Sequence, residues 1–259
     1  MANVSLYSSE GSPVSKIELP EVFENEVRED LIRRAVLSEE SEKLQPKGVF
    51  PRAGLQTTAR YIGRKEAYHS LKNRGGAMLP RELYPKGRIG RVRVVPFAVK
   101  GRRAHPPKVQ KILVERINKR EKKKAMFSAI AATAKKDIVG KKHVLPKIEI
   151  PIVLDDSCLS LSKTKDVVKL FEKLNLAGDV ERAKNGRRKK YGRAGGSKTP
   201  RSVLLVSAKQ SPILKAAKNL PGVNVVTLDS MKVSDFAPGG VPGRLTVWTK
   251  SAIENVGKI

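Results

Sequence analysis

The run from Pro46 to Pro107 constrains the fold more than any other part of the chain. Prolines at positions 46, 51, 80, 85, 96, 106 and 107 alternate with glycines at 48, 54, 63, 75, 76, 87, 90 and 101. Each proline removes a backbone donor and fixes φ, so neither a helix nor a long strand survives that spacing. A structureless run of about 60 residues inside a compact domain is rare, and where it occurs it is functional or disordered.

Charge bears on that choice. From Arg52 to Lys108 there are fifteen Lys and Arg against two acids, Glu66 and Glu82. Phe50, Tyr61, Tyr68, Tyr84 and Phe97 are scattered among the cations. Aromatic rings beside Arg and Lys suit stacking on unpaired bases with phosphate contacts alongside. The run therefore reads as an extension that orders on a folded RNA, and two limbs of ~30 residues each would span at most roughly 100 Å.

A second basic stretch, from Arg182 to Arg201, holds nine Lys and Arg and no acid. Its core, "KNGRRKKYGRAGGSKTPR" (184–201), has Gly186, Gly192, Gly195 and Gly196, which let the backbone approach a phosphate chain, and Tyr191 offers a ring. It reads as an RNA-contacting loop. Glu18 to Glu42 runs the other way, with nine acids against Arg28, Arg33 and Arg34. The whole chain carries a formal +28. Such a charge repels itself in a compact monomer and calls for a polyanionic partner. Nucleic acid comes ahead of an anionic membrane, because no apolar run approaches the ~18–20 residues of a spanning helix and no signal-type stretch follows Met1. A cytoplasmic protein is expected. The single Cys158 excludes an intramolecular disulfide and a cysteine-rich zinc site, and reads as a small buried residue.

Outside these stretches the pattern is regular. Residues Pro20 to Leu44 predict one helix, with Phe23, Val27, Leu31 and Ala35 along one face, and Lys111 to Ile138 another, with a Glu115–Lys119 pair. "NVSLYS", "IPIVL" (150–154), "SVLLV" (202–206), "VNVVTL" (223–228) and "LTVW" (245–248) read as strands. Helices are expected at 163–174, after the Ser211-Pro212 cap, and from Thr249. Near-continuous Val, Leu and Ile strands separated by helices indicate a doubly wound, mostly parallel α/β sheet with helices on both faces.

No catalytic site emerges. None of the strand ends carries a phosphate-cradling glycine loop opening a helix, and "APGGVPG" (237–243) precedes a strand instead of following one. Asp155 and Asp156 sit together at a strand end, where the plain reading is a polar terminus and turn. His69, His105 and His143 lie far apart, without ligand-spaced neighbours, and His105 reads as a stacking or phosphate-contacting group. No cofactor, metal or small-molecule substrate is expected. A chromatin or general DNA-binding protein, and more remotely a nucleotide-dependent enzyme, are the alternatives.

"RVVPFAVKGRRAHPPK" (93–108), the Lys/Glu-rich stretch after it, "GRRKKYGRAGGSKTPRSVLLV" (186–206) and "DFAPGGVPGRLTVWTKSAIE" (235–254) resemble, in order and over nearly the whole chain, the archaeal branch of the large-subunit ribosomal protein L-four family. The long C-terminal extension usual in the eukaryotic branch is lacking. The resemblance implies a single α/β domain over 1–259 on the large ribosomal subunit, bound to large-subunit rRNA. It also implies a long internal loop, here 45–110, lining the nascent-peptide exit tunnel and meeting a second ribosomal protein at the constriction. The tip would lie between Arg60 and Arg93, near the nascent peptide; it reads "RYIGRKEAYH" where the family has a tighter G-x-G-R run.

On this reading Arg60, Arg64, Lys65, Lys72, Arg74, Arg88, Arg91 and Arg93 neutralise rRNA phosphates, and Tyr61, Tyr68 and Tyr84 stack on bases. Lys100, Arg102, Arg103, His105 and Lys108 clamp the returning limb, held extended by Pro106 and Pro107. The second loop, 182–201, adds Arg187, Arg188, Lys189, Lys190 and Arg193.

Overall fold

The computed structural model describes residues 3–192 and 195–257. The chain opens with an antiparallel pair, β1 (Asn3–Tyr7) and β2 (Pro13–Glu18), with Val4 opposite Ile17. A 3-10 turn at Glu21–Glu24 and then α1 (Glu29–Ser41) follow, where the sequence predicts one continuous helix. The break has a local cause. Asn25 Nδ2 donates to the Val22 carbonyl, the Arg28 amide donates to Ser128 Oγ at 2.6 Å, and the Ser128 hydroxyl donates to the Glu26 carbonyl. Groups that a continuous helix would pair internally are thus committed elsewhere.

Strands β3 (Arg81–Leu83) and β4 (Ile89–Val92) form a small hairpin. The second predicted helix begins eight residues late, as α2 (Lys119–Ala134), and an extended Lys135 separates it from α3 (Lys136–Val139). Glu115 is held outside it: its carbonyl accepts from Ser38 Oγ at 2.6 Å and its amide donates to Ser41 Oγ at 2.9 Å. The expected helical Glu115–Lys119 pair therefore does not form.

The remainder runs β5 (Ile152–Leu154), α4 (Thr164–Lys173), α5 (Ala177–Asn185), β6 (Arg188–Lys189), β7 (Ser197–Lys198), β8 (Leu204–Ser207), α6 (Pro212–Lys218), β9 (Asn224–Thr227), α7 (Val233–Phe236), β10 (Thr246–Thr249) and α8 (Lys250–Val256). The main sheet has the order β2-β1-β5-β10-β8-β9, parallel throughout except for β2. Alternate residues of the central strands enter two cores. Val153, Val206 and Trp248 pack with Phe23, Ile32, Ile130 and Phe236. Ile152, Leu154, Leu205 and Val247 pack with Val167, Leu170, Phe171 and Ile213. This is the α/β sheet covered on both faces that the apolar strand runs predict. Trp248 is fully buried, its ring 5.7 Å from the stacked Phe236 ring and 5.6 Å from the edge-on Phe23 ring.

The adjacent Asp155 and Asp156 serve turn ends. Asp155 accepts from the Ser157 amide, and Asp156 accepts from both the amide and the hydroxyl of Ser251 at the start of α8. Ser211 makes no cap: its hydroxyl is buried without a partner, and Pro212 alone starts α6.

Backbone proximity divides the chain into two units, one comprising everything up to Lys43 and from Val114 onward, the other Leu44–Leu113. In the second unit the two ends run side by side. A Cβ on Gly48 would come 2.9 Å from Val109 Cγ2, and one on Gly54, at φ +77°, 2.6 Å from the Arg102 amide nitrogen. Arg60 and Arg81 exchange backbone hydrogen bonds of 3.1 and 3.3 Å. Ser70 and Leu71 are its buried residues, so turns and backbone pairing shape this unit rather than a core. Five non-glycine residues in it, His69, Asn73, Lys86, Val94 and Lys100, have positive φ. For Val94, β-branched at φ +69°, that is a strained conformation.

Candidate nucleic-acid interface

In the unit Leu44–Leu113, Arg60, Arg64, Lys65, Lys72, Arg74, Arg88, Arg91, Lys100, Arg102, Arg103, His105 and Lys108 are all exposed. Arg93 differs. Its Nε donates to Glu82 Oε1 at 2.7 Å and its Nη1 to the Val99 carbonyl at 2.6 Å. Hydrogen bonds from Arg93 and then Tyr84 hold the Glu82 carboxyl below the usual range. Among the described residues this is the unit's one ion pair. The unit's other Lys and Arg side chains are in no ion pair among the described residues.

Arg102, Arg103 and Lys108 come together with Phe50, Pro106 and Pro107 around a groove of about 350 Å³ between the two limbs. Arg103, His105 and Lys108 also border a neighbouring hollow with Lys47 and Lys111. Gly54 and Gly101, both on its lining, let the backbone pack closely there: a Cβ on Gly54 would lie 2.6 Å from the Gly101 carbonyl oxygen, and one on Gly101 would collide with that of Val95. A flat apolar slot rimmed by guanidinium groups can hold a base and its phosphate together.

Each of the three tyrosines lies over a glycine. A Cβ on Gly63 would be 3.2 Å from Tyr61 Oη, one on Gly87 3.3 Å from Tyr68 Oη, and one on Gly90 2.5 Å from Tyr84 Cε2. Tyr84 Oη also donates to Glu82 Oε2 at 3.0 Å, Tyr61 Oη lies 3.1 Å from Met78 Sδ, and the Tyr68 ring stacks against His69 with centroids 4.2 Å apart. Exposures of 45%, 71% and 49% leave a face of Tyr61, Tyr68 and Tyr84 open to a base. The pairs lie 2, 19 and 6 residues apart in sequence, with no common spacing, so sequence reasoning had no signal for this seating.

In the second basic stretch, β6 and β7 form a two-residue antiparallel ladder closed by a Lys190 amide to Gly196 carbonyl bond of 2.9 Å. Arg187, Arg188, Lys189 and Lys190 are exposed, with Arg187 Nε donating to Ser197 Oγ, and Tyr191 is 98% exposed. Arg193 lies outside the described residues.

Sequence reasoning also missed a polar cluster at the amino ends of β8, β9 and β10. Asp179, 1% exposed on α5, is hydrogen-bonded to His143 Nδ1 at 3.0 Å and accepts from Arg182 Nε at 2.8 Å, Ser202 Oγ at 2.8 Å and the Val144 amide at 3.1 Å. Burial alone would raise its pKa, but the hydrogen bonds from His143, Arg182 and Ser202 outweigh it and hold the carboxyl well below the ordinary range. Beside it Arg244, also 1% exposed, donates from Nε to the Ser202 carbonyl, from Nη1 to the Asp235 carbonyl and from Nη2 to Asn224 Oδ1. Burial, and then the nearby Arg201 charge, push its pKa down to about 9. Among the described residues, no helix is long and apolar enough to cross a membrane, and no group of His, Cys, Asp and Glu could hold a metal ion.

The family model of the ribosomal protein L4/L1 family matches residues 17–259. The chain is similar to the large ribosomal subunit protein uL4 of Methanocaldococcus jannaschii, 48% identical over 256 residues that cover 97% of this chain and 96% of that protein. It is also similar to the uL4 proteins of Archaeoglobus fulgidus (44% identical, covering 96% and 95% of the two chains) and Methanosphaera stadtmanae (41%, covering 100% and 98%).

Proposed function

The chain belongs to the ribosomal protein L4/L1 family, and from that premise we propose that it binds large-subunit rRNA, supports subunit assembly and lines the peptide exit tunnel with residues 45–110. Membership makes it a structural constituent of the cytoplasmic large ribosomal subunit, in its archaeal form, and not an enzyme.

One observation carries the RNA reading. Of the fifteen Lys and Arg between Arg52 and Lys108, Arg93 alone is in an ion pair among the described residues. The others, apart from the half-buried Arg81, are exposed and can neutralise phosphates, and the three glycine-seated tyrosines can stack on unpaired bases next to them. In this assignment Arg60, Arg64, Lys65, Lys72, Arg74, Arg88 and Arg91 contact rRNA phosphates along the loop. Lys100, Arg102, Arg103, His105 and Lys108 do so at its base, and Arg187 to Lys190 with Arg193 in the second loop. Arg93 acts chiefly by holding Glu82 and the 99–101 turn. The partners are rRNA, neighbouring large-subunit proteins including the second protein of the constriction, and the nascent peptide near the tip.

Ultraviolet crosslinking in intact cells, with crosslinked peptides and RNA positions mapped together, tests the assignment. Crosslinks from Tyr61, Tyr68 and Tyr84 to tunnel-lining rRNA are expected. Crosslinks mainly to DNA, or to rRNA remote from the tunnel, refute it.

A further inference from the structure

We infer that the cleft at the amino ends of β8, β9 and β10 is a third RNA contact, a site for backbone phosphate built on the sheet itself. This rests on the rRNA reading and adds to it a place where the ends of the second basic stretch meet cations from elsewhere in the sheet domain.

The cleft has a volume of about 550 Å³. Lys43, Lys142, Lys198, Arg182, Arg201 and Arg244 line it, against the acids Glu40 and Asp235. Arg182, Lys198 and Arg201 come from the second basic stretch, and the fold brings Lys43 from just after α1, Lys142 from just after α3 and Arg244 from just before β10 to join them. Arg244 is the informative member. It is buried, yet every acceptor it reaches is a neutral carbonyl or amide oxygen. The Asp235 and Asp179 carboxylates act on its charge from nearby, but neither accepts a hydrogen bond from it, so an anion in the cleft can still gain a direct contact where water is excluded. Nη1 makes one hydrogen bond among the described residues, to the Asp235 carbonyl, so its second N–H has no acceptor among them.

The mouth of the cleft is pre-shaped. Arg201 Nη1 donates to Asn224 Oδ1 at 3.0 Å, and the Arg201 carbonyl accepts from Arg182 Nη2 at 2.8 Å, so Arg201 is oriented before any ligand arrives. Small nucleotide ligands of parallel α/β sheets bind beyond the carboxyl ends of the strands. This cleft lies at the opposite end, which suits a polymer backbone crossing the domain. Lys198 belongs to β7 and Arg201 follows three residues later, so a strand of RNA held by the β6–β7 cations continues into the cleft.

The test uses the full chain and deproteinised large-subunit rRNA. Acetylation of lysines, read by mass spectrometry, is expected to slow several-fold at Lys43 and Lys142, the two cleft lysines outside both basic stretches, when rRNA is added, and to stay unchanged at Lys165 on α4. In filter binding, the double variant K43Q/R201Q is expected to reduce the slope of log K against log salt by about 1.4 to 1.8, two contacts at 0.7–0.9 each. Both changes are at exposed positions, and an unchanged thermal midpoint confirms the fold. R102Q/R103Q is the comparator for the rRNA reading. A reduced slope for the comparator with none for K43Q/R201Q overturns the cleft site and leaves the rRNA reading standing. Failure of the wild type to bind rRNA overturns both. Equal protection by inorganic phosphate at the same phosphate concentration, without RNA, marks a free-anion site and overturns the RNA assignment.

Discussion

Replacing Asp179 with Ala is the sharpest perturbation of the sheet domain's polar interior. It removes a carboxylate that receives four hydrogen bonds and leaves His143, 3% exposed, and Arg182, 31% exposed, without their anion. Breaking a buried pair from one side costs about 3–5 kcal/mol, because the remaining partner is stranded. Arg182 is near enough to solvent to be partly rehydrated, so the lower end, about 3 kcal/mol, is expected. For a domain of this size that corresponds to a fall in the melting temperature of about 6–12 °C. Urea unfolding followed through Trp248, the single tryptophan, reads the change directly. The pH dependence supplies a second signature. The folded-state pKa of Asp179 lies below its unfolded value, so its contribution is complete above the ordinary carboxylate range and is lost as pH falls through the folded value. Below about pH 5 the wild type should lose stability more steeply than D179N. A loss under about 1 kcal/mol in D179A, or parallel acid limbs for wild type and D179N, would refute the reasoning.

Glu82→Gln should release Arg93 from its ion pair, raising rRNA affinity at low salt and steepening the salt slope by up to about 0.9; an unchanged slope would mean that Arg93 stays locked by the Val99 carbonyl. Tyr68→Leu should weaken rRNA binding by about 1–3 kcal/mol with the salt slope unchanged, the mark of lost stacking without lost phosphate contact, and equal affinity in filter binding would remove Tyr68 from the interface. Gly243→Ala places a Cβ 2.6 Å from Ile138 Cγ2 at φ +93°, so it should lower the melting temperature by several degrees. Gly178→Ala, with nothing nearer than 3.7 Å inside α5, should leave it unchanged or raise it slightly. Calorimetry of the two glycine variants checks both, and equal midpoints would contradict the steric argument.

The strands were legible because a run such as "SVLLV" suits only a position covered on both faces. The helix limits were not. What starts α1 at Glu29 is the Ser128 hydroxyl, a hundred residues away, and what delays α2 is the pair Ser38 and Ser41. Strand β2 was missed because "PVSKIE" is an edge strand, exposed along nearly all of its length, and has no apolar alternation to detect. Helix α5 was missed because its buried residues are Asp179 and Ala183, so it presents no apolar stripe. The same distinction governs the interface. Cations that lie close together in sequence could be read directly, whereas the cleft around Arg244 joins three of them, Arg182, Lys198 and Arg201, to Lys43, Lys142 and Arg244 from distant segments. Only folding brings them together.

Strand β10 lies between β5 and β8, in the middle of the sheet, yet it is the last strand of the chain. Until Thr246–Thr249 are available, β1, β2 and β5 have no bonded connection to β8 and β9. The domain therefore cannot close progressively while it is being synthesised. Its two half-sheets and the basic segments all emerge before the strand that joins them, and Trp248 arrives with that strand. Chains interrupted before Thr246 are expected to stay open to proteolysis, because the two half-sheets have no strand between them.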